Sequence, residues 1–582
     1  MGTFDGPDAE LPSPSPSPSP SPESGLAGTS GRRTADVLVD VLEAAGVDTV
    51  FGLPGGPISP LHDALLDRSI RTVTTRHESG ALFAAAGWAH TTGRLGVAVV
   101  TSGPGVLNAM TGLASAHCDG LPVLLLVGEV PRKVHGKGAL QDGSSHGLNV
   151  VGMTRHVTKL AAEMTDPAQA PLLLHRAIAT ALSGRRGPVV LTIPLDVAMA
   201  TQEAPRITAE LSLEFAVNPR ALDDIAALLG LAGRPLILAG AGVRGGGAPA
   251  MLRTVAERYR CPVATTPKGK GVFPEDHPQA LGVFGLGGHP SAREYVEGGL
   301  DMLIAVGTSL GDLSTDGWTP LLKPRRAFVH VDIDARQIGK SYAPTHALVA
   351  PAAAFLGGLA ERTPRLVPRP DAGVVRFAMA SSEPDLLAPQ DAITELQAIL
   401  PRDTIYTVDS GEHFLFATHF LEITHPDAFV VMTGLGSMGQ SIGGAIGAKL
   451  ARPDRTVAAI CGDGCFAMNG FEVATAAAEK VPIVLFVFND RRLGMVELGH
   501  KAVYGRQPSY PITMDVGALA HGLGAEFVRV SKPGDLTRAA GILRRPAGPV
   551  VVDVQIDPSV KLPRKDRMAE LKAAARPLRL VN

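Results

Sequence analysis

The sequence predicts an α/β protein of three open parallel sheets that follow a disordered N-terminal tail. Three observations carry that prediction. Short runs rich in Val and Ile, each ending in Gly or a polar residue, alternate with alanine-rich stretches, the pattern of strands and helices around a parallel sheet. Two segments, the Pro-, Thr- and Glu-containing "ATQEAPRITAE" and the proline-rich "RTPRLVPRPDAG", interrupt the alternation and divide it into three blocks. The chain's 582 residues also exceed what one hydrophobic core organises.

In chain order, residues 1–32 contain "LPSPSPSPSPSPESG", whose prolines lack amide donors and whose composition offers nothing to bury, so this stretch is expected to be a disordered tail. Residues 33–200 form the first block, with "DTVFGL", "RTVTT", "GVAVVTSG", "PVLLLVGE" and "GPVVLTIPLDV" as strands and "SGALFAAAGWAHTTG" as a helix. Residues 215–365 form the second, with "RPLILAGAGV", "CPVATT", "DMLIAVGTSL" and "AFVHVDID". Residues 385–560 form the third, with "TIYTVDSG", "AFVVMTGLG", "TVAAICGDG", "PIVLFVFND" and "PVVVDVQID". Ligands of such sheets sit at the carboxyl ends of strands.

Composition narrows the function. With 45% apolar residues and a formal charge of −2, the chain is neither an acidic disordered protein nor a polybasic nucleic-acid binder. Small-molecule ligands fit better. No apolar run reaches the roughly 18 to 20 residues of a membrane helix, and no basic segment followed by an apolar core opens the chain, so a cytoplasmic protein without membrane partners is expected. Four scattered cysteines, Cys118, Cys261, Cys461 and Cys465, are too few for a disulfide framework.

The stretch "CGDGCFAMNG" sets Asp463 between Gly462 and Gly464 where a strand gives way to a helix. Free amides at a helix start suit phosphate, and a carboxylate there would repel it unless a cation stood between them. Magnesium meets that requirement, since it is held by one or two carboxylates together with phosphate oxygens. "PIVLFVFND" brings Asn489 and Asp490 to the neighbouring strand end as further oxygen ligands.

Gly-Asp-Gly followed by a helix, a strand and an N-D pair resembles the motif of the thiamine-diphosphate-dependent enzymes. The likeness runs from Thr34 to about Pro558. "FGLPGGPISPLHDAL", "RHESGALFAAAGWAHTTGRLGVAVVTSGPG" and "TGLGSMGQSIGGAIGAKLA" are similar to segments of acetolactate synthase and its relatives. The resemblance implies thiamine diphosphate and Mg2+ as cofactors, with a pyrimidine-binding first domain, a middle domain and a diphosphate-binding third. Asp463, the side chain of Asp490 and the main-chain oxygen of Arg492 are its implied metal ligands.

The remaining roles come from the same likeness. Glu78 matches the activating glutamate, whose carboxyl bonds the pyrimidine so that the thiazolium C2 proton can be removed, and Gln141 lines the reaction space. Pro54, Pro104 and Asn108 fall near the pyrimidine. Glu412, His413, Gly436, Gly462, Gly464, Cys465, Gly494 and Met495 fall near the diphosphate, and Met438 is the apolar wedge that bends the cofactor. The resemblance also implies a homodimer or homotetramer with active sites between subunits.

Two departures stand out. Gly499 replaces the tryptophan that, in synthases of branched-chain precursors, follows the "GMV" segment. "GAGV" and "HVDID" suit an adenine nucleotide, but "GLGG" and "TSLGDL" lack the His and Arg pair that hold FAD in many relatives, which weighs against FAD while leaving it possible. The expected function is decarboxylation of a 2-oxoacid, pyruvate by default, with carboligation of the carbanion to a second carbonyl acceptor. The alternatives are simple decarboxylation, C–C cleavage or acyl transfer with the same cofactor, a nicotinamide dehydrogenase, and a non-catalytic cofactor-binding regulator.

Overall fold

A computed structural model describes residues 31–202, 216–363, 365, 367–369, 372–383 and 385–563; all but the last two positions of the expected tail lie outside them. The described chain holds three six-stranded sheets in which every pairing is parallel. A short antiparallel ribbon between Arg32–Arg33 and Thr201–Gln202 closes the first domain.

In space the first sheet runs Arg71–Thr74, Thr49–Gly52, Gly96–Val100, Val123–Glu129, Val189–Pro194, Leu160–Glu163. The third runs Phe429–Val431, Ile405–Val408, Val457–Gly462, Val484–Asn489, Val550–Gln555, Glu526–Val530. Counted along the chain, both have the order 2-1-3-4-6-5. Their crevices therefore open where the order reverses, between the first and third strands, at residues 53–55 and 101–105 in one domain and 409–412 and 462–464 in the other. The middle sheet has the order 3-2-1-4-5-6 of doubly wound dinucleotide-binding folds.

The central strands are continuous apolar runs because helices cover both faces, and Val123–Glu129 and Val484–Asn489 are buried along their whole length. Four strands of the three large sheets escaped the sequence reading: Leu160–Glu163, Ala280–Val283, His346–Val349 and Glu526–Val530. All four are sheet edges. Three of them are only partly covered, so they carry charged or polar residues that break an apolar run.

Helix Glu78–Thr92 of the first domain lies against helix Gln440–Ala451 of the third. Both are buried on nearly all sides and are rich in Ala and Gly, which lets the backbones approach closely. A Cβ on Gly87 would stand 2.3 Å from the carbonyl oxygen of Gly444, and one on Gly447 would stand 1.9 Å from that of Ala84. Gly443, on the same face, meets the carbonyl of Gly80. This contact joins the first and third domains.

Candidate active site

In the third domain, Val457–Gly462 pairs with Val484–Asn489 so that Gly462 stands opposite Phe488, which places Asp463 and Asp490 on adjacent strand ends. Asp463 is buried, and its helix, Asp463–Asn469, begins at the residue itself. One carboxylate oxygen accepts from the amide of Gly464 at 2.7 Å, and the other from the amide of Arg492 at 3.1 Å. Burial, and next the charge of Asp490, push its carboxyl up to about 7; the backbone amides offset part of that rise. Two crowded carboxylates, with Arg492 beside Asp490 alone, make a hard oxygen-donor set suited to a divalent cation.

Asp490 accepts from Arg492 Nε at 3.1 Å, and Arg491 between them takes a left-handed φ of 59°. Asn489 is committed elsewhere, because its amide donates to the buried Asp553 at 2.8 Å and its oxygen caps the amide of Arg491. The strand end thus aims one carboxylate at the crevice and uses its neighbour to hold the sheet.

Glu412 and His413 start helix Glu412–Phe420 on the other side of the switch point. The His413 ring lies 3.2 Å from where a Cβ on Gly462 would be. Burial lowers its pKa to about 4, and among the described residues its Nε2 has no partner; a bound diphosphate's negative charge would favour a proton on that nitrogen and accept from it. At Gly494 a Cβ would lie 2.7 Å from Asp490 Oδ2 and 3.5 Å from Glu412 Oε2, so the glycine keeps room among the acids. At Gly464 a Cβ would strike Leu493 at 2.6 Å and approach Met438 Cε at 3.0 Å. These bare turns form a cradle that side chains would fill.

Met438 is half-buried beside that cradle, Gly436 is exposed with φ 78°, and Met495 packs partly buried against the third domain's core. Cys465 is buried and donates to the carbonyl of Ser410 at 3.3 Å. Burial raises the Cys461 and Cys465 thiols well above their usual values, so neither offers a thiolate.

In the first domain, Glu78 opens its helix and is buried, with Asn108 Nδ2 donating to Oε2 at 3.0 Å. Pro104 and Asn108 belong to helix Pro104–Asp119, while Pro54 is exposed beyond strand Thr49–Gly52. Gln141 has φ 64°, and its carbonyl accepts from Ser102 at 2.6 Å. Ser102 also reaches the fully buried Glu129 at 3.2 Å, whose Oε1 holds the amides of Val130 and Gly143. Among the described residues, no hydrogen bond or ion pair joins Glu78 to Asp463, Asp490, Glu412 or His413.

Three residues here were not singled out from sequence. Asp409, fully buried, accepts from the amides of Ser410, Gly439 and Ser441 and from the Ser441 hydroxyl at 2.8 to 2.9 Å, so it shapes the glycine-rich turn that carries Met438. Its one signal in the sequence was an acid directly after the first strand of the block. Lys561 pairs with Glu412, and Glu472 reaches into the first domain. Both act across long sequence separations that no local pattern announces.

Residues 32–148 match the thiamine pyrophosphate enzyme N-terminal TPP binding domain, 222–359 the central domain of the same family, and 409–554 its C-terminal TPP binding domain. The chain is 33% identical, over 94% of its length and 95% of the relative's, to a Methanocaldococcus jannaschii protein named "Probable acetolactate synthase large subunit". It is 34% identical to the acetolactate synthase large subunit of Corynebacterium glutamicum, covering 89% of this chain and 86% of the other. In fold it is similar to a solved structure titled "X-ray structure of a putative thiamin diphosphate-dependent enzyme isolated from Mycobacterium smegmatis", with a TM-score of 0.79 at 24% identity, over 92% of this chain and all of that one.

Proposed function

Because the chain belongs to the thiamine pyrophosphate enzymes and is related to the acetolactate synthase large subunits, we propose that it decarboxylates a 2-oxoacid, pyruvate by default, and joins the resulting fragment to a second carbonyl compound. The observation that carries this reading is the Asp463–Asp490 pair on adjacent strand ends, beside the unpartnered His413 nitrogen and the cradle at Gly464. A magnesium ion would be held by Asp463, Asp490 and the main-chain oxygen of Arg492, and His413 with the glycine turns would hold the diphosphate.

When bound, thiamine diphosphate would supply a nucleophilic thiazolium carbon and an electron sink for decarboxylation. The chain's share is placement and proton handling. Glu78 would meet the pyrimidine nitrogen with its carboxyl group, and Asn108 fixes its orientation. Met438, beside the Gly464 cradle, would press on the cofactor, and Gln141 would line the substrate side.

Glu78 and the metal-binding acids are assigned to different subunits of a homodimer or a larger homo-oligomer. Exposed apolar side chains near both crevices, Leu107, Leu435, Met468 and Phe471, support that assembly. The "GLGG" and "TSLGDL" segments pack on one another, with the amide of Leu286 on the carbonyl of Leu313 at 2.8 Å, and lack the His and Arg pair that hold FAD in many relatives, which weighs against FAD while leaving it possible. Gly499 sits half-buried in helix Gly494–Tyr504 and leaves the acceptor side free of an indole.

The test is an anaerobic screen of 2-oxoacids, alone and with carbonyl acceptors, in the presence of thiamine diphosphate and Mg2+, following carbon dioxide and product mass. Ligated product is the expected result. Carbon dioxide with free aldehyde alone would replace carboligation by simple decarboxylation, and no turnover with any oxoacid would overturn the reading.

A further inference from the structure

Glu472 belongs to the third domain, at the first position of helix Glu472–Ala478, yet its carboxylate serves the first domain. Oε1 accepts from the amide of His77 at 2.9 Å and from that of Arg76 at 3.1 Å. Oε2 accepts from the amide of Arg76 at 3.2 Å and from the Thr475 hydroxyl at 2.7 Å. The residue is 0% exposed. A buried carboxylate costs free energy unless it is fully hydrogen-bonded, and here it is satisfied by two backbone amides immediately before Glu78.

The local sequence accommodates this contact. A Cβ on Gly80 would stand 2.1 Å from Oε1 of Glu472 and 2.7 Å from its Cγ, so only glycine leaves the carboxylate its place against the first turn. The start of helix Glu78–Thr92 is otherwise held by His77, whose ring accepts from the amide of Ser79 at 3.2 Å. The His77 ring is exposed and fixes only its own turn. Glu472 supplies the buried anchor for that turn, from the same domain that carries Asp463.

We propose that Glu472 is a positioning residue for Glu78: by clamping the amides of Arg76 and His77 it fixes where the Glu78 carboxyl points, and it ties the first-domain half of one active site to the third domain of the same chain. The proposal rests on the reading that Glu78 handles the proton at the cofactor. Glu472 touches neither substrate nor cofactor. Its effect is on geometry, where a displacement of about 1 Å can cost up to a hundredfold in rate.

The experiment compares wild type, Glu472→Gln, Gly80→Ala and Glu78→Gln by deuterium exchange at C2 of bound thiamine diphosphate, by cofactor affinity and by amide exchange of the peptide covering residues 72–82. An amide at position 472 turns a donor toward one of the two N–H groups, and an alanine at position 80 displaces the carboxylate. Both variants are expected to slow C2 exchange by about tenfold or more while cofactor affinity stays within about threefold, with faster amide exchange confined to the 72–82 peptide. Normal C2 exchange in Glu472→Gln, with slow exchange in Glu78→Gln, would overturn the positioning role and leave the Glu78 reading intact. Normal exchange in Glu78→Gln would overturn that reading itself. The wild-type protein provides a check that needs no variant: the amides of Arg76 and His77 are expected to exchange as slowly as helix interior, and rapid exchange there would overturn the clamp.

Discussion

Lys561 Nζ lies 2.9 Å from Glu412 Oε2, an ion pair that brings the end of the described chain onto the start of the helix carrying His413. Glu412 shares its surroundings with Asp490 across Gly494, so three carboxylates gather where a diphosphate is assigned. Lys561 and Arg492 are the cations set against them. Lys561→Met should leave Glu412 uncompensated and weaken thiamine diphosphate binding by about tenfold, roughly 1.4 kcal/mol, a modest figure because the pair is partly exposed and screened. Adding Glu412→Gln to that variant should restore most of the affinity. Calorimetric titration of all three variants checks it; an unchanged affinity in Lys561→Met would show that the pair only anchors the chain end.

Asp463→Ala removes the carboxylate assigned to the metal. Both of its acceptor contacts are to neighbouring backbone amides, and no other side chain of the sheet depends on it for a hydrogen bond. Cofactor affinity in the presence of Mg2+ is therefore expected to fall by about a hundredfold or more, while the far-ultraviolet dichroism and unfolding temperature of the cofactor-free protein stay near wild type. A variant that still binds the cofactor tightly, with undiminished dependence on Mg2+, would assign the metal to other residues.

What the sequence disclosed follows from what is local. The central strands announce themselves as apolar runs, and the Gly462-Asp463-Gly464 turn stands at the end of one of them, so the acid's place is legible from the residues alone. Leu160–Glu163 and Glu526–Val530 were not legible, because an edge strand has one flank in solvent and carries charge there. Asp409 was hidden for a different reason. Its partners Gly439 and Ser441 are local to another turn, and only the parallel crossover brings that turn within 2.9 Å. Glu472 reads as an ordinary acid at the start of a helix, and its real partners lie nearly four hundred residues earlier.

His413 gives a prediction in pH. Burial depresses its folded pKa to about 4, against the ~6.5 of an exposed imidazole in the unfolded chain. Between those values the unfolded chain takes up a proton that the folded protein refuses, so stability present at neutral pH is lost as pH falls below ~6.5, and the loss levels off near 4. In the cofactor-free protein, the stability difference between wild type and His413→Gln should move in the variant's favour by about 1.4 kcal/mol per pH unit over that range. Denaturant titrations between neutrality and the lower limit measure it. A difference independent of pH would mean that the imidazole is already accessible to protons in the folded state.

The contact between helices Glu78–Thr92 and Gln440–Ala451 yields the last prediction. At Gly447 the space for a Cβ is already occupied by the backbone, with the Ala84 carbonyl oxygen at 1.9 Å and the Trp88 amide nitrogen at 2.8 Å. No side-chain rotation can relieve that clash, so Gly447→Ala must push the helices apart or tilt one against the other. Overpacking of this kind costs about 1–3 kcal/mol, whereas alanine would otherwise favour the helix by about 1 kcal/mol over glycine. The net effect is destabilising. Because the displaced helix begins with Glu78, activity should fall before unfolding, and C2 deprotonation of the bound cofactor should slow at temperatures where the variant is still folded. Gly444, whose own Cβ would meet only Met432 Cε at 3.5 Å, supplies the control: Gly444→Ala on the same helix should be tolerated far better. Scanning calorimetry with C2 exchange on both variants decides the matter. Equal behaviour of the two would mean that the helices can separate at little cost, and that their close approach does not fix Glu78.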